Sequence, residues 1–259
     1  MRKLLFTIFI LMPFVVFAAV SVDTLESYST GDLEGKGDAT GDGNQCIWSG
    51  AWGNTDACPV AWDVVSTPVF AGSRAIGKAD TNTARCGRGF ATAITDATVI
   101  TRYGRIGQID TNQYYYVMDG ANDIIYSALN DAEQIIVLDN LTGVNLGTYV
   151  IDNWYREDFK VTNYGSKLFQ AAVCDATADA NCNPQWSGTN YTFFNNTAAS
   201  DVDSVNFESQ NNAAPNTFYM DNWGGTSTCA VASAPAKPNN KFLLPGLMGW
   251  LNKLINYFI

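Results

Sequence analysis

The chain has 259 residues, with 25 acidic residues against 15 basic ones, and it contains no histidine. Without histidine there is no Ser-His-Asp or Cys-His relay and no imidazole-held metal, which removes most hydrolase mechanisms. The net charge of −10 argues against nucleic acid and anionic lipid as partners.

Arg2 and Lys3 precede an apolar run, Leu4 to Phe17, which ends at Ala18 and Ala19. That order of charged, apolar and small residues predicts a secretory signal peptide over 1–19. The run is shorter than the roughly 20 residues that span a bilayer. Taking Arg2 and Lys3 from the 15 basic residues leaves 13 against 25 acidic ones, a mature net charge of −12. The expected location is therefore outside the cytosol: secreted, at the cell surface, or periplasmic. Cys46, Cys58, Cys86, Cys174, Cys182 and Cys229 are an even set, which in an exported chain predicts three disulfides. Sequence permits fifteen pairings. Our reading joins Cys46 to Cys58 and Cys174 to Cys182 as local staples and leaves Cys86 for Cys229.

Residues 20–232 are expected to form one all-β domain, a two-sheet antiparallel sandwich of the jelly-roll kind. Its clearest part is the middle. Gln113 to Met118 and Ile124 to Leu129 flank the turn-forming Asp119–Asp123 and read as a hairpin. Gln134 to Asp139, Asn145 to Ile151, Tyr155 to Thr162 and Lys167 to Cys174 continue a meander, with turns at Leu141–Gly143 and Asn163–Ser166. Within it Tyr155, Phe159 and Val161 share one face and Arg156, Asp158 and Lys160 the other, the pattern of a half-buried strand. Residues 174–190 read as a polar, disulfide-closed loop and 233–241 as a linker. The tail, 242–259, is apolar with Asn252, Lys253 and Asn256 on one helical stripe. It predicts a short amphipathic helix packed on the domain, on another protein or at a membrane interface.

Four segments stand in an order that resembles the secreted concanavalin A-like lectin/glucanase domains, the LamG-like jelly rolls of bacterial surface proteins. They are LESYSTGDLEGKG (from Leu25), CIWSGAWG (from Cys46), VVSTPVFAGSRAI (from Val64) and TFYMDNWGG (from Thr217). WYREDFKVTNYGSKLFQAAV, from Trp154, resembles the paired central strands of that family. The resemblance covers roughly residues 23–230. It implies an early strand at Leu25–Tyr28, a strand at Ala71–Ala75 and a closing strand through Tyr219–Asn222. It also implies a structural calcium near the first and last strands, which nominates Glu26 and Asp221.

Catalysis is not the favoured expectation. Glycosidases of that fold class set paired carboxylates on one strand, because acid and nucleophile must flank one glycosidic bond about 5 Å apart. Glu157 and Asp158 are neighbours and so point to opposite faces. The metal candidate is Asp38, Thr40, Asp42 and Asn44, oxygen-bearing residues at alternate positions followed by glycine, as in a calcium loop, although Ser49 replaces the closing Glu. Sugars stack their C–H faces on aromatic rings while Asn, Asp, Gln and Arg take their hydroxyls. Trp186, inside the polar loop, is the first choice for such a platform, followed by Tyr114 with Tyr116, then Trp154 and Trp223. Asn140, Asn190 and Asn195 open N-glycosylation sequons. The expectation is a non-catalytic domain that binds a glycan or polysaccharide, with calcium as its one candidate cofactor. Its rivals are a structural or adhesive surface protein assembling through its tail, and a polysaccharide-degrading enzyme.

Overall fold

The computed structural model describes residues 22–23, 25–26, 28–36, 48, 51–53, 55, 58, 62–78, 84–107, 112–179, 181–210 and 218–225. The expected signal peptide, linker and apolar tail lie outside them, as does the helix expected in that tail. All described residues belong to the unit Met1–Thr228, and the second unit, Cys229–Ile259, holds none of them. Among the described residues no helix is long and apolar enough to cross a membrane.

The described strands are β1 (Val22–Asp23), β2 (Gly31–Asp32), β3 (Trp62–Val65), β4 (Ala75–Lys78), β5 (Ala84–Ile94), β6 (Ile100–Ile106), β7 (Asn112–Asp119), β8 (Asn122–Leu129), β9 (Gln134–Asp139), β10 (Thr142–Thr148), β11 (Trp154–Asn163), β12 (Leu168–Asp175), β13 (Tyr191–Thr192), β14 (Val202–Gln210) and β15 (Phe218–Gly225). They form two antiparallel sheets. The larger, of nine strands, runs β13-β12-β11-β6-β15-β4-β3-β2 with β1 also on β15, and the smaller runs β10-β9-β8-β7-β14-β5. The protein is an all-β, disulfide-stapled jelly-roll sandwich, as expected.

The two sheets meet through alternate residues. On β7 Gln113, Tyr115 and Val117 are fully buried, and on β11 so are Glu157 and Phe159. The Tyr115 ring lies 5.4 Å from Phe159 and the Trp62 ring 4.6 Å from Phe207, each pair crossing from one sheet to the other. Burying one such large apolar side chain is worth roughly 1.5–3 kcal/mol. Charged groups also enter this apolar interface, among them an ion pair. Arg102 on β6 donates to the Glu157 carboxylate at 2.5 Å, and Ser127 on β8 donates to the same carboxylate at 2.6 Å. Both ions are at 0% exposure, so the pair is shielded from water and Ser127 ties the two sheets together through it. The sharing of faces read from the sequence holds for β11, with Glu157 joining Tyr155, Phe159 and Val161 on the inner face, but the other face is not wet: Asp158 there is 2% exposed.

Several local expectations are corrected. The turn expected at Leu141–Gly143 is earlier: Asn140 takes the left-handed conformation (φ 57°), so β10 begins at Thr142 and ends at Thr148, not at Ile151. Asn tolerates that region better than a branched residue does. Ladder registry shifts between Asn145 and Gly147, where the Asn145 side chain accepts the Gly147 N–H at 2.8 Å and a bulge results. Leu25 also has a positive φ (60°), and the Leu25–Tyr28 segment turns instead of extending. Ala71–Arg74 is a turn leading into β4, with Gly72 at φ 71° where an added Cβ would collide with the Glu26 carboxylate.

Disulfides join Cys58 to Cys86 and Cys174 to Cys182. The second closes the polar loop as expected. The first replaces the expected pairings of Cys46 with Cys58 and of Cys86 with Cys229, because β5 brings Cys86 to the segment holding Cys58. Cys46 and Cys229 lie outside the described residues.

Candidate functional site

The outer faces of the two sheets differ. That of the larger sheet is covered by its own loops around Trp154, while an open depression of about 290 Å³ remains at β12, lined by Ala172, Gln185, Ser187 and Thr189 with Asn145 and Leu146. Trp154, Ala75, Tyr219, Ala176 and Cys182 form a buried apolar cluster, with Phe70 packed on it and stacked on Tyr103 at 4.2 Å. The Phe70–Arg74 loop is pinned by two carboxylates. Asp221 accepts the N–H groups of Phe70 (2.8 Å) and Ala71 (3.1 Å). Glu26 accepts the N–H groups of Ser73 (2.8 Å) and Arg74 (3.1 Å) and the Ser73 hydroxyl (2.8 Å). Arg156 chelates Asp158 through Nε and Nη2 (3.0 and 2.9 Å) and donates Nη1 to the Cys182 carbonyl, which fixes the disulfide loop on this face.

On the smaller sheet the outer face carries side chains that no such cluster covers among the described residues. Since Gln113, Tyr115 and Val117 point inward, Tyr114 and Tyr116 point out. Cross-strand register then lines up two rows: Tyr126, Tyr116, Asn206 and Gly87 in one, and Ala128, Tyr114, Glu208 and Arg85 in the other. The Tyr126 ring is 5.1 Å from Tyr116, edge-on, and 5.4 Å from Tyr114, and Phe194 stacks on it at 5.5 Å. The Tyr116 hydroxyl donates to Glu208 Oε2 at 2.9 Å. The Arg85 guanidinium lies 4.4 Å above the Tyr116 ring and pairs with Asp123 at 2.8 Å. Tyr114 and Tyr126 are half-buried, so part of each ring meets solvent, whereas Tyr116 is buried beneath Arg85.

Beside these rings Thr55, Arg85, Met118, Gly120, Ala121, Ser204 and Asn206 line an open depression of about 290 Å³. Gly87 makes its floor possible, because a Cβ there would overlap Asn206 Oδ1 and Thr55 Oγ1.

The electrostatics of the tyrosines follow from this packing. Burial pushes Tyr116 well above the usual phenol range, with Tyr126 and the Glu208 charge adding to it and Arg85 opposing. Burial and Tyr114 raise Tyr126, and burial raises Tyr114, with Asp131 and Glu208 adding. All three are therefore neutral phenols across the physiological range. They can donate hydrogen bonds but are poor bases.

The residues nominated from sequence are scattered. Tyr114 and Tyr116 share this face, as expected of neighbours two apart on a strand. Trp154 does not present a platform, being 7% exposed within the cluster on the opposite sheet. Trp186 is half-buried in its loop, with the Lys160 ammonium 4.2 Å over its ring. Trp223 lies on β15, and its side chain is outside the described set. The calcium loop Asp38, Thr40, Asp42 and Asn44 is also outside it. Glu26 and Asp221 both turn a carboxylate to the Phe70–Arg74 loop, Asp221 to its start and Glu26 to its end. Among the described residues the carboxylates that converge are Asp119, Asp201 and Asp203, within 4.8 Å of one another and able to hold a metal ion. Asp119 accepts the Ser200 N–H and Asp203 the Gly120 N–H, both at 2.8–2.9 Å, so this cluster braces the β7–β8 turn.

Tyr126, Glu208, Arg85, Asn206 and Phe194 were missed by sequence reading. Tyr126 had a signal, since pairing QYYYVMD with NDIIYSAL as a hairpin sets Tyr126 opposite Tyr116. Glu208, Asn206 and Arg85 had none, because β14 comes from far along the chain to pair with β7 and carries β5 on its other side.

No protein-family profile matches the chain, and no curated protein does. Solved structures of similar shape include a sialidase (12% identity, TM-score 0.44, 66% of this chain and 17% of that one). They also include the catalytic domain of a glycoside hydrolase family 131 protein from Coprinopsis cinerea (10%, 0.46, 77% and 84%). A third is a Bacillus licheniformis β-glucanase (10%, 0.37, 80% and 96%). The chain thus spans under a fifth of the sialidase. With every TM-score below 0.5, none of these likenesses transfers an activity or a site residue.

Proposed function

We propose that the protein is an exported, non-catalytic carbohydrate-binding domain of the lectin-like, LamG-like kind, whose glycan lies on the outer face of the smaller sheet. The observation that carries this reading is the tyrosine group Tyr114, Tyr116 and Tyr126 with Glu208, Asn206 and Arg85 around it. The exposed parts of Tyr114 and Tyr126 offer apolar ring faces to the C–H face of a sugar. Carboxylate, amide and guanidinium groups beside them suit its hydroxyls. The raised tyrosines favour binding over elimination chemistry, which needs a phenolate or another base near neutral pH.

A glycan-array screen of the protein beside Tyr114→Ala, Tyr126→Ala and Trp186→Ala variants tests this, each with calcium and with a chelator. Loss of at least about tenfold in affinity in both tyrosine variants, roughly 1.4 kcal/mol, is the expected result. Loss confined to Trp186→Ala would move the site to the 183–190 loop. Binding to no glycan would refute the proposal and favour the adhesive, assembly-forming alternative.

A further inference from the structure

We infer that the tyrosine face takes glycans free of acidic groups and rejects polyanionic ones, a selectivity that rests on the carbohydrate-binding reading of that face. Charge sets the selectivity. The six strands of the smaller sheet contain two basic residues, Arg85 and Arg88. Arg88 is fully buried on the inner side, where it donates to the Tyr28 hydroxyl at 2.7 Å. Arg85 is thus the outer face's single strand-borne cation, and it is committed: Asp123 neutralises it at 2.8 Å while its guanidinium lies on the Tyr116 ring.

Against that one paired cation stand Glu208, which lies across the strand pair from Tyr114 and accepts the Tyr116 hydroxyl at 2.9 Å, and Asp131, held at the start of β7 by its N–H bond to the Asn112 side chain. Asp119, Asp201 and Asp203 gather at the β7–β8 end of the same sheet. A uronate or sulfate group stacked on Tyr114 or Tyr126 would meet these carboxylates with no unpaired strand-borne guanidinium to receive it. At ~7 Å in water each like-charge pair weakens binding about threefold, so two pairs give about tenfold. A sugar carrying hydroxyls alone meets the same carboxylates as hydrogen-bond acceptors and loses nothing.

The test compares the full chain's affinity for neutral polymers (xylan, mixed-linkage β-glucan, mannan) with that for alginate and polygalacturonate, at low and high salt and beside Tyr114→Ala. The expected result is a neutral polymer bound at least about tenfold tighter than either polyanion at low salt. That ratio should narrow as salt screens the carboxylates, and the neutral binding should be lost in Tyr114→Ala. Alginate or polygalacturonate bound as tightly as any neutral polymer, and released by Tyr114→Ala, would overturn the selectivity and leave the site standing. Binding of no polymer would overturn both.

Discussion

Replacing Glu157 by Gln keeps the shape of the residue and removes the charge that balances Arg102. Both side chains are at 0–1% exposure, and Arg102 Nε and Nη1 already have no partner. The variant therefore leaves a guanidinium buried between the sheets with only neutral acceptors nearby. Breaking a buried pair from one side costs about 3–5 kcal/mol. For a domain of this size each kcal/mol moves the midpoint by roughly 2–4 °C, which gives a fall of about 6–20 °C. Thermal unfolding followed by circular dichroism, with disulfides intact, measures it. The double variant Arg102→Met with Glu157→Leu should recover most of the loss, because apolar replacement of a buried pair is often neutral. A Glu157→Gln midpoint within about 2 °C of the parent protein, or a double variant no more stable than the single one, would refute this role of the buried pair.

Three further outcomes are expected. Burial opposes the charge of Glu26, yet the N–H groups of Ser73 and Arg74, the Ser73 hydroxyl and the Arg74 guanidinium hold its carboxyl below the ordinary 4.5. Its stabilisation is then present above pH 4.5 and lost as pH falls through the lowered value, so the midpoint gap between the parent and Glu26→Gln should close in acid. By loop length alone, removing the Cys58–Cys86 bond, of separation 28, should cost about 1 kcal/mol more than removing Cys174–Cys182, of separation 8. Denaturant midpoints of the two double-serine variants check the order. Gly87→Ala should displace Asn206 and Thr55 and weaken glycan binding several-fold while shifting the unfolding midpoint by only a few degrees, which titration and melting read separately.

Strand alternation and turn residues were enough to place β7, β8, β9, β11 and β12 to within about two residues, because each pairs with a sequence neighbour. Where strands pair across long separations the signal fails. β14 inserts between β7 and β5, more than 80 residues apart from each, and nothing in VDSVNFESQ names its partners. The same reason hid Glu208 and Asn206 from the candidate site. Glu157 misled in another way, since an acidic residue on a half-buried strand suggests water, and only the arrival of Arg102 and Ser127 from two other strands makes its burial tolerable. Trp154 was read as accessible from its polar neighbours in sequence. Its actual neighbours, Phe70 and Tyr219, are contributed by other strands and loops.

The bulge at Asn145–Gly147 lies on β10, one of the two outermost strands of the smaller sheet. A straight outer strand would offer a continuous row of unpaired amides and carbonyls on which a second molecule could grow the sheet. Here the Asn145 side chain takes the Gly147 N–H for itself, and the row is interrupted. At the opposite border Trp48 bridges to Phe90 and Gly53 bonds to Gly87, which closes part of β5 in the same way. Borders interrupted in this manner keep the smaller sheet from templating a second molecule, even at the high local concentration of a crowded polymer.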